Sequence, residues 1–488
     1  MGLTGASKRA VLGVDLGTSA VKCVVVVAGA IVASATAPLQ VDRPHPGWSE
    51  QDPAAWLDAA RLAIGQAVAR AGLAADAIVG IGLSGQMHGA VVLGGAQTPL
   101  RPAMLWNDNR ATAQCAVLGA RVPGIGQIAG IGPLPGFTAP KLMWLAVHEP
   151  ALFARIRAVL LPKDYLALWL TGALSTDRSD AAGTLWLDQA QRAWSADVVA
   201  ASGIERDWLP PLRDGFELAG TLRAQAAEVL GLRAGVAVYA GGGDAAAGAV
   251  ALGAVAPGRS MMSLGTSGQL LVAAARHEPR PELYLHSYCH TVPGRWFRMA
   301  AMLNGARPLA WFAQVLGCSV PELLAKAAEA DRARVPLFLP YLTGERSPHG
   351  DPSIRGGFYG LEDATGPGEM ARAVMEAVAF SMADALASFG PEVALTAPVP
   401  VIGGGSRSDA LLQTLADALD LPMGRAAAGA GGAALGAARL AELGAGLCGR
   451  DTLEAAPVLE AVFEPRPSDG LHDRLARYRG LYHRLKGL

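Results

Sequence analysis

The tetrapeptide Leu-Gly-Thr-Ser occurs twice in the chain, at Leu16 to Ser19 and again at Leu264 to Ser267. Each copy stands between strand-like apolar runs: Val11 to Val14 and Val21 to Val27 around the first, Met261 to Ser263 and Gln269 to Val272 around the second. A strand, a Gly-Thr-Ser tip and a returning strand predict a hairpin. Consecutive backbone N–H groups at such a tip form a concavity suited to phosphate oxygens. Coincidence explains a four-residue match less well once the context also matches on both sides. With 488 residues the chain exceeds one ordinary core, so two domains are expected. The two copies suggest the division, with one domain over residues 1–253 and a second over 254–488.

Between the copies lies Val238-Tyr-Ala-Gly-Gly-Gly-Asp244-Ala-Ala-Ala-Gly248. Val236 to Ala240 predict a strand, the three glycines let a ligand approach the main chain closely, and the small residues after Asp244 suit a helix. Taken alone, Asp244 serves equally well as a helix N-cap or as a functional carboxylate.

Charge removes several function classes. Lys plus Arg number 41 against 42 Asp plus Glu, a net charge of −1, so no electrostatic argument favours nucleic acid or an anionic membrane. Hydrophobic residues make up 51% of the chain, yet no apolar run reaches the roughly 20 residues that span a bilayer. Lys8 and Arg9 precede an apolar segment as in a signal peptide, but Asp15 interrupts it. Five scattered cysteines argue against a disulfide framework and for a reducing compartment, so the cytoplasm is expected.

Residues 11 to 41 predict successive antiparallel strands. A loop over Arg43 to Pro53 follows, then a helix with Asp52 as N-cap and with Trp56, Ala60, Ala63, Ile64, Ala67 and Ala71 on one stripe. Strands over Ile78 to Leu83 and Ala90 to Leu93 enclose Ser84-Gly-Gln-Met-His88-Gly. Gly80-Ile-Gly82-Leu-Ser-Gly85 matches the dinucleotide-binding glycine pattern, but no helix opens on it, so it fails on context. Trp106-Asn-Asp-Asn-Arg110 is expected in a polar loop, and the tryptophan within Lys141 to His148 in a core. His286, Cys289 and His290 lack a fourth ligand for a structural zinc site and predict ordinary strand residues. Met370 to Phe389 is a long helix with Val374, Val378 and Met382 on one stripe. Val399 to Ile402 is a strand running through Gly403, Gly404 and Gly405 into a helix whose free N–H groups favour negative charge.

The order of these features resembles the FGGY carbohydrate kinases, of the wider actin, hexokinase and Hsp70 group. The matching motifs span nearly the whole chain: Asp15-Leu-Gly-Thr-Ser19, Trp48-Ser-Glu-Gln-Asp-Pro53, Gly85-Gln-Met-His-Gly89, Trp106-Asn-Asp108, Leu161-Pro-Lys-Asp-Tyr165, Ser179-Asp-Ala-Ala-Gly183, Gly241-Gly-Gly-Asp244, Ser263-Leu-Gly-Thr-Ser267, Gly344-Glu-Arg-Ser-Pro-His349 and Gly403-Gly-Gly405. The resemblance implies an α/β, ribonuclease H-like fold of two domains, with a duplicated core and a cleft between them. It also implies ATP and Mg²⁺. Asp244 would be the general base, with Gln86, Met87, His88, Trp106, Asn107 and Asp108 around the sugar. Asp15 would help place Mg²⁺ in a first phosphate loop with Gly17, Thr18 and Ser19. Gly265 and Thr266 would contact the ATP phosphates, and Gly403, Gly404 and Gly405 would approach the adenosine. In this family Ala245, Asn109 and Leu411 are departures, standing where Asn, Gly and an aromatic are usual.

Within the family several motifs resemble the branch that phosphorylates D-xylulose, since a glycerol-phosphorylating relative would carry Arg-Glu where Met87 and His88 stand. A neutral polyol needs directional hydrogen-bond partners, which His88, Asn107 and Asp108 offer beside the apolar walls of Met87 and Trp106. No cluster of Arg or Lys is expected beside these loops, so a sugar acid would lack a counter-charge. Two alternatives stay open: a relative acting on another ketose or polyol, and a nucleotide-binding interaction protein sharing the fold. A homodimer is compatible with the sequence.

Overall fold

A computed structural model describes residues 9–427, 432–467 and 470–487, so Lys8 lies outside the described residues. Two sheets organise the chain. The first is built from β1 (Ala10–Leu16), β2 (Ala20–Val27), β3 (Ala30–Pro38), β4 (Ile78–Gly85), β5 (Leu218–Thr221) and β6 (Ala237–Gly243), in the order β5-β6-β4-β1-β2-β3. β1, β4 and β6 run parallel; β2 and β3 extend one side antiparallel to β1, and β5 closes the other side antiparallel to β6.

The second sheet comprises β7 (Ser260–Leu264), β8 (Gly268–Ala274), β9 (His286–Cys289), β10 (Trp296–Met302), β11 (Val399–Ile402), β12 (Met423–Ala426) and β13 (Leu459–Phe463). Its order is β9-β10-β8-β7-β11-β12-β13, with β7, β11 and β12 parallel. The duplication seen in Leu-Gly-Thr-Ser therefore extends to whole strands: β1, β2, β3, β4 and β6 have counterparts in β7, β8, β10, β11 and β12. Two differences remain: β5 precedes β6 whereas β13 follows β12, and β9, an extra edge strand beside β10, has no counterpart in the first sheet.

Six helices matter for the site: α1 (Pro53–Ala71), α2 (Thr138–His148), α3 (Asp244–Ala251), α4 (Pro367–Ser388), α5 (Asp409–Leu419) and α6 (Ala433–Gly444). α1 starts as its sequence predicts, with the Asp52 side chain accepting from Ala54 N and Gly72 ending it in the left-handed conformation. Its buried stripe packs beneath Leu12, Val14, Cys23 and Val25 of the first sheet. The opposite face of that sheet takes Val11, Val24 and Val26, alternating with the first set as strand periodicity requires. α4 is buried along its length, with Val374, Val378 and Met382 in the core under the second sheet together with Leu411, Leu412 and Leu415 of α5. Among the described residues no single helix is long and apolar enough to cross a membrane.

Among several packing contacts that cross between the halves, one is unusually close. α6, from the second half of the chain, lies on the first sheet, with Ala434, Leu435, Ala438 and Ala441 clustered against Val11, Val24 and Val26. It lies so close that a Cβ on Gly13 would overlap the Ala434 carbonyl oxygen, one on Gly82 the Ala437 carbonyl oxygen, and one on Gly436 the Ala247 carbonyl oxygen of α3. The glycines of the dinucleotide-like pattern thus have a packing explanation. Gly80, Gly82 and Gly85 all lie within β4, Gly80 under the Tyr239 ring and Gly85 against the Lys163 Cβ.

Gly82→Ala should therefore force α6 off the sheet. Overpacking of this kind costs about 1–3 kcal/mol, and here the obstacle is backbone rather than a movable side chain. Urea unfolding should show a lower midpoint at unchanged slope, and a parent-like midpoint would mean that α6 can retreat freely.

Candidate active site

Three chain segments meet where β1, β4 and β6 end. Asp15 pairs in register with Ser84, Ser84 with Gly242, and Gly85 with Gly243. Asp15, the Gln86-Met87-His88 turn and Asp244 are thereby brought to one edge of the sheet, the carboxyl ends of parallel strands where open α/β sheets bind ligands. β6 carries a register shift between Tyr239 and Gly242 that re-aims its end. There Gly241 has φ +73° and a Cβ would overlap the Leu83 carbonyl oxygen, so only glycine fits.

Asp244 is the first residue of α3, not its N-cap; the cap is Gly243, and the Asp244 Oδ1 accepts from Ala245 N at 2.8 Å. Its side chain is open to solvent, yet surrounding protein raises its pKa to about 6, as at the floor of a recess. Asp15 is pushed up to about 7, first by burial and then by the negative charge of Asp244, and among the described residues its Oδ1 has no hydrogen-bond partner. Lys22, the cross-strand partner of Asp15, offsets part of this, and its ammonium would lie 3.8 Å from a Cβ on Gly432.

Met87 is buried, with its thioether against Gly243. His88 has φ +67°, a conformation that costs a non-glycine residue energy and occurs mostly where the surroundings enforce it. Thr138 Oγ1 and Lys141 Nζ enforce it by donating to the His88 carbonyl, at 3.1 and 2.8 Å. The His88 Nδ1 lies 2.7 Å from the Gly183 carbonyl oxygen. A carbonyl only accepts, so Nδ1 carries the proton and Nε2 is left as an acceptor. Burial, with help from the charges of Lys141 and Arg346, lowers this imidazole to about 3, against the pull of the Gly183 hydrogen bond.

Other residues expected around a sugar are engaged with the protein. Gln86 donates to Gln51 Oε1 at 3.0 Å and accepts from Thr18 Oγ1 at 2.9 Å. Trp106, 42% exposed, donates its indole N–H to the same Thr18 hydroxyl at 3.0 Å. Both residues hold the first Gly-Thr-Ser tip. Asp108 is fully buried and accepts from Ser49 N, Arg110 N, Arg110 Nε and Arg110 Nη2. No lone pair is left for a hydroxyl, so Asp108 is a loop-building residue and the expected acceptor role is corrected. Asn107 differs, since its Oδ1 is buried with no partner among the described residues. Single cations do come near: Lys141 is fully buried beneath the His88 carbonyl, and the charge of Arg346 reaches His88 from the second half of the chain.

In the second half, the Leu264 end of β7 adjoins the Ile402 end of β11. Gly403 has φ +95°, and a Cβ there would lie 2.6 Å from the Leu264 carbonyl oxygen, so the Gly403, Gly404 and Gly405 turn abuts the second Gly-Thr-Ser tip. Gly265 and Thr266 give their carbonyls to Ala306 N and Gly305 N, at 2.7 and 3.0 Å, which leaves the Thr266 side chain exposed. The helix expected straight after the glycines starts later. A 3-10 turn over Gly404–Arg407 intervenes, and Ser408 caps α5 by accepting from Leu411 N.

Comparison with known proteins decides the family. The model of the FGGY family of carbohydrate kinases matches with its N-terminal domain over residues 10–251 and its C-terminal domain over 260–445. The chain belongs to the FGGY family of carbohydrate kinases. Among its relatives, the xylulose kinase of Escherichia coli strain K12 is 46% identical over 440 residues, 89% of this chain and 90% of that protein. The crystal structure of a xylulose kinase from Brucella ovis superposes with a TM-score of 0.92 at 44% identity, covering 98% of this chain and 99% of the other. One from Rhodospirillum rubrum gives 0.90 at 31%, with 98% and 99% covered.

As an FGGY kinase the chain is a two-domain enzyme of the actin and hexokinase-like fold that phosphorylates a sugar, and the family implies ATP together with a divalent cation. The residues fit a cation: Asp15 has an unpartnered buried oxygen beside the like charge of Asp244, which a cation would relieve. Among the described residues no group of three or more His, Cys, Asp or Glu side chains is placed to cage a metal. His290 has both ring nitrogens beside protein partners, Thr291 and Ala254, as an ordinary core histidine would. Sequence reasoning missed Lys22, Lys141 and Arg346. A lysine register-paired with Asp15 was the one available signal; the other two need the fold.

His88 should stay neutral through the usual histidine range. Nitrogen-detected NMR of the imidazole should show the Nδ1–H tautomer and no titration between about pH 5 and 8, against an unperturbed value of about 6.5. A midpoint near 6.5 would mean that the ring is not held as described.

Proposed function

We propose that this kinase transfers the γ-phosphoryl group of ATP to D-xylulose, giving D-xylulose 5-phosphate. The observation that carries this reading is the recessed Asp244 carboxylate at the strand ends, beside Met87 and a neutral His88, in a chain whose relatives are xylulose kinases. Phosphoryl transfer passes through a loose transition state, so positioning and charge neutralisation dominate and one base suffices. With its pKa raised to about 6, Asp244 is still largely ionised near neutrality and better matched to taking the hydroxyl proton than an ordinary carboxylate. His88 Nε2 accepts from a sugar hydroxyl, and the free Asn107 Oδ1 is a second acceptor. Asp15 would help hold Mg²⁺, which when bound would neutralise charge on the phosphate oxygens. Thr18 and Ser19 after Gly17, and Thr266 after Gly265, face the phosphates, while Gly403, Gly404 and Gly405 leave room for the nucleoside. The five cysteines, all free, suit a reducing cytoplasm.

We further infer that the domains over 1–253 and 254–488 close on the substrates, with the contact of α3 and α6 as pivot, because closure excludes water as competing nucleophile.

A substrate panel with coupled ADP detection should rank D-xylulose above D-ribulose, L-ribulose and glycerol in kcat/KM. Another polyol ranked first would remove the named substrate but not the family. Asp244→Asn should keep the fold and ATP binding while lowering kcat by roughly 10² or more, the scale of a positioned base. A folded variant with normal turnover would take the base role from Asp244. For closure, small-angle scattering with sugar and a non-hydrolysable ATP analogue should show a smaller radius of gyration than the free protein, and an unchanged radius counts against it.

A further inference from the structure

The segment from Asp177 to Thr184 takes no part in the chemistry above, yet it touches both sides of it. Asp177 Oδ2 accepts from Ser179 N at 2.7 Å and from the Ser179 hydroxyl at 2.5 Å. The same hydroxyl oxygen accepts at 3.2 Å from the backbone N–H of Gly243, the residue immediately before Asp244. Further along, the Gly183 carbonyl accepts from the His88 ring at 2.7 Å. The fit is close at both points: a Cβ on Gly183 would lie 2.5 Å from His88 Nδ1, and one on Gly242 would lie 3.1 Å from Ser179 Oγ.

A buried knot of charge anchors this segment. Lys163 Nζ lies 2.5 Å from Asp164, 2.9 Å from Asp177 and 3.4 Å from Asp180, and none of the four side chains is more than 3% exposed. Three ionised carboxylates around one ammonium would leave two uncompensated negative charges out of water, which is prohibitive, so the knot retains protons. Asp180, whose two oxygens have no hydrogen-bond partner, is the natural holder, and burial pushes its carboxyl well above the usual carboxylate range. The charged groups facing it are Lys163, Asp164, Asp177 and, from α3, Asp244.

We infer that Asp177 to Gly183 is a positioning element for phosphoryl transfer, in which Ser179 sets the Asp244 carboxylate against the acceptor hydroxyl and Gly183 sets the His88 ring against the sugar. This rests on reading Asp244 as the base and His88 as a sugar contact. The two ends of the segment then control different kinetic constants. Hydrogen bonds that served folding alone would lower the amount of folded protein without separating kcat from KM.

The test is steady-state kinetics of the full chain at a temperature where circular dichroism shows each variant folded. Ser179→Ala should lower kcat about tenfold or more, the scale of a small misplacement of a reacting group, with KM for sugar and for ATP within about twofold. Ser179→Cys keeps the packed volume but not the strong hydrogen bond, and should behave alike if the alanine variant folds poorly. Gly183→Ala should raise the sugar KM about tenfold and leave the ATP KM unchanged. A kcat within twofold of the parent in both Ser179 variants overturns the inference, as does a Gly183→Ala effect shared equally by sugar and ATP. An Asp244→Asn variant run beside them separates the failures. If it stays active the base reading falls; if it is inactive while the Ser179 variants are parent-like, only the positioning element falls.

Discussion

The rest of the molecule depends on the contact between α6 and the first sheet. A helix and a sheet normally meet through two layers of side chains, but here Gly13 and Gly82 on the sheet remove one layer and alanines on the helix thin the other. Gly436 brings the same helix against the backbone of α3, the helix that begins with Asp244. Close packing transmits displacement because no flexible side chain absorbs it. The helix belongs to the half that carries the second Gly-Thr-Ser tip, so the two halves are coupled at the element bearing the central carboxylate. At this contact the residues must be small and not merely apolar, because backbone lies where a Cβ would stand.

Charge is arranged around the same point. Burial and the negative charge of Asp244 raise the cost of ionising Asp15, and Lys22 meets only part of it. Such a pair favours a cation and a phosphate between them over either state alone. A few residues away, burial keeps His88 neutral, and Lys141 is brought down to about 7, first by burial, while it holds the His88 backbone in its strained conformation. The neighbourhood therefore presents one set of groups suited to charge transfer and another suited to recognising hydroxyls, separated by a single turn after β4.

Much of this was legible in the chain. The two hairpins, the extent of α1 and its Asp52 cap, a strand running into Gly241 to Gly243 and the family all follow from local pattern, though the strand continues through those glycines to Gly243. They are set by propensity, periodicity and turn chemistry over short stretches. The strand count of the duplication was not legible, because the counterparts of β3 and β6 share no motif. The start of α5 was misplaced by a few residues because Ser408 outcompetes the glycines as its cap.

The sequence by itself determined which chemistry-bearing residues exist and which sit on turns after strands. Only the tertiary structure decided which polar groups are free to act, since saturation of a hydrogen-bonding group depends on partners far along the chain. Asp108 and Gln86 looked as suitable for a sugar as His88 and Asn107. Ser49 and Arg110 saturate the first, Gln51 and Thr18 engage the second, and the Gly183 carbonyl leaves His88 one free acceptor. In the same way, Gly82 is a nucleotide-loop glycine by its spacing and a packing glycine by its neighbour Ala437, and the neighbour prevails because two atoms cannot share one volume.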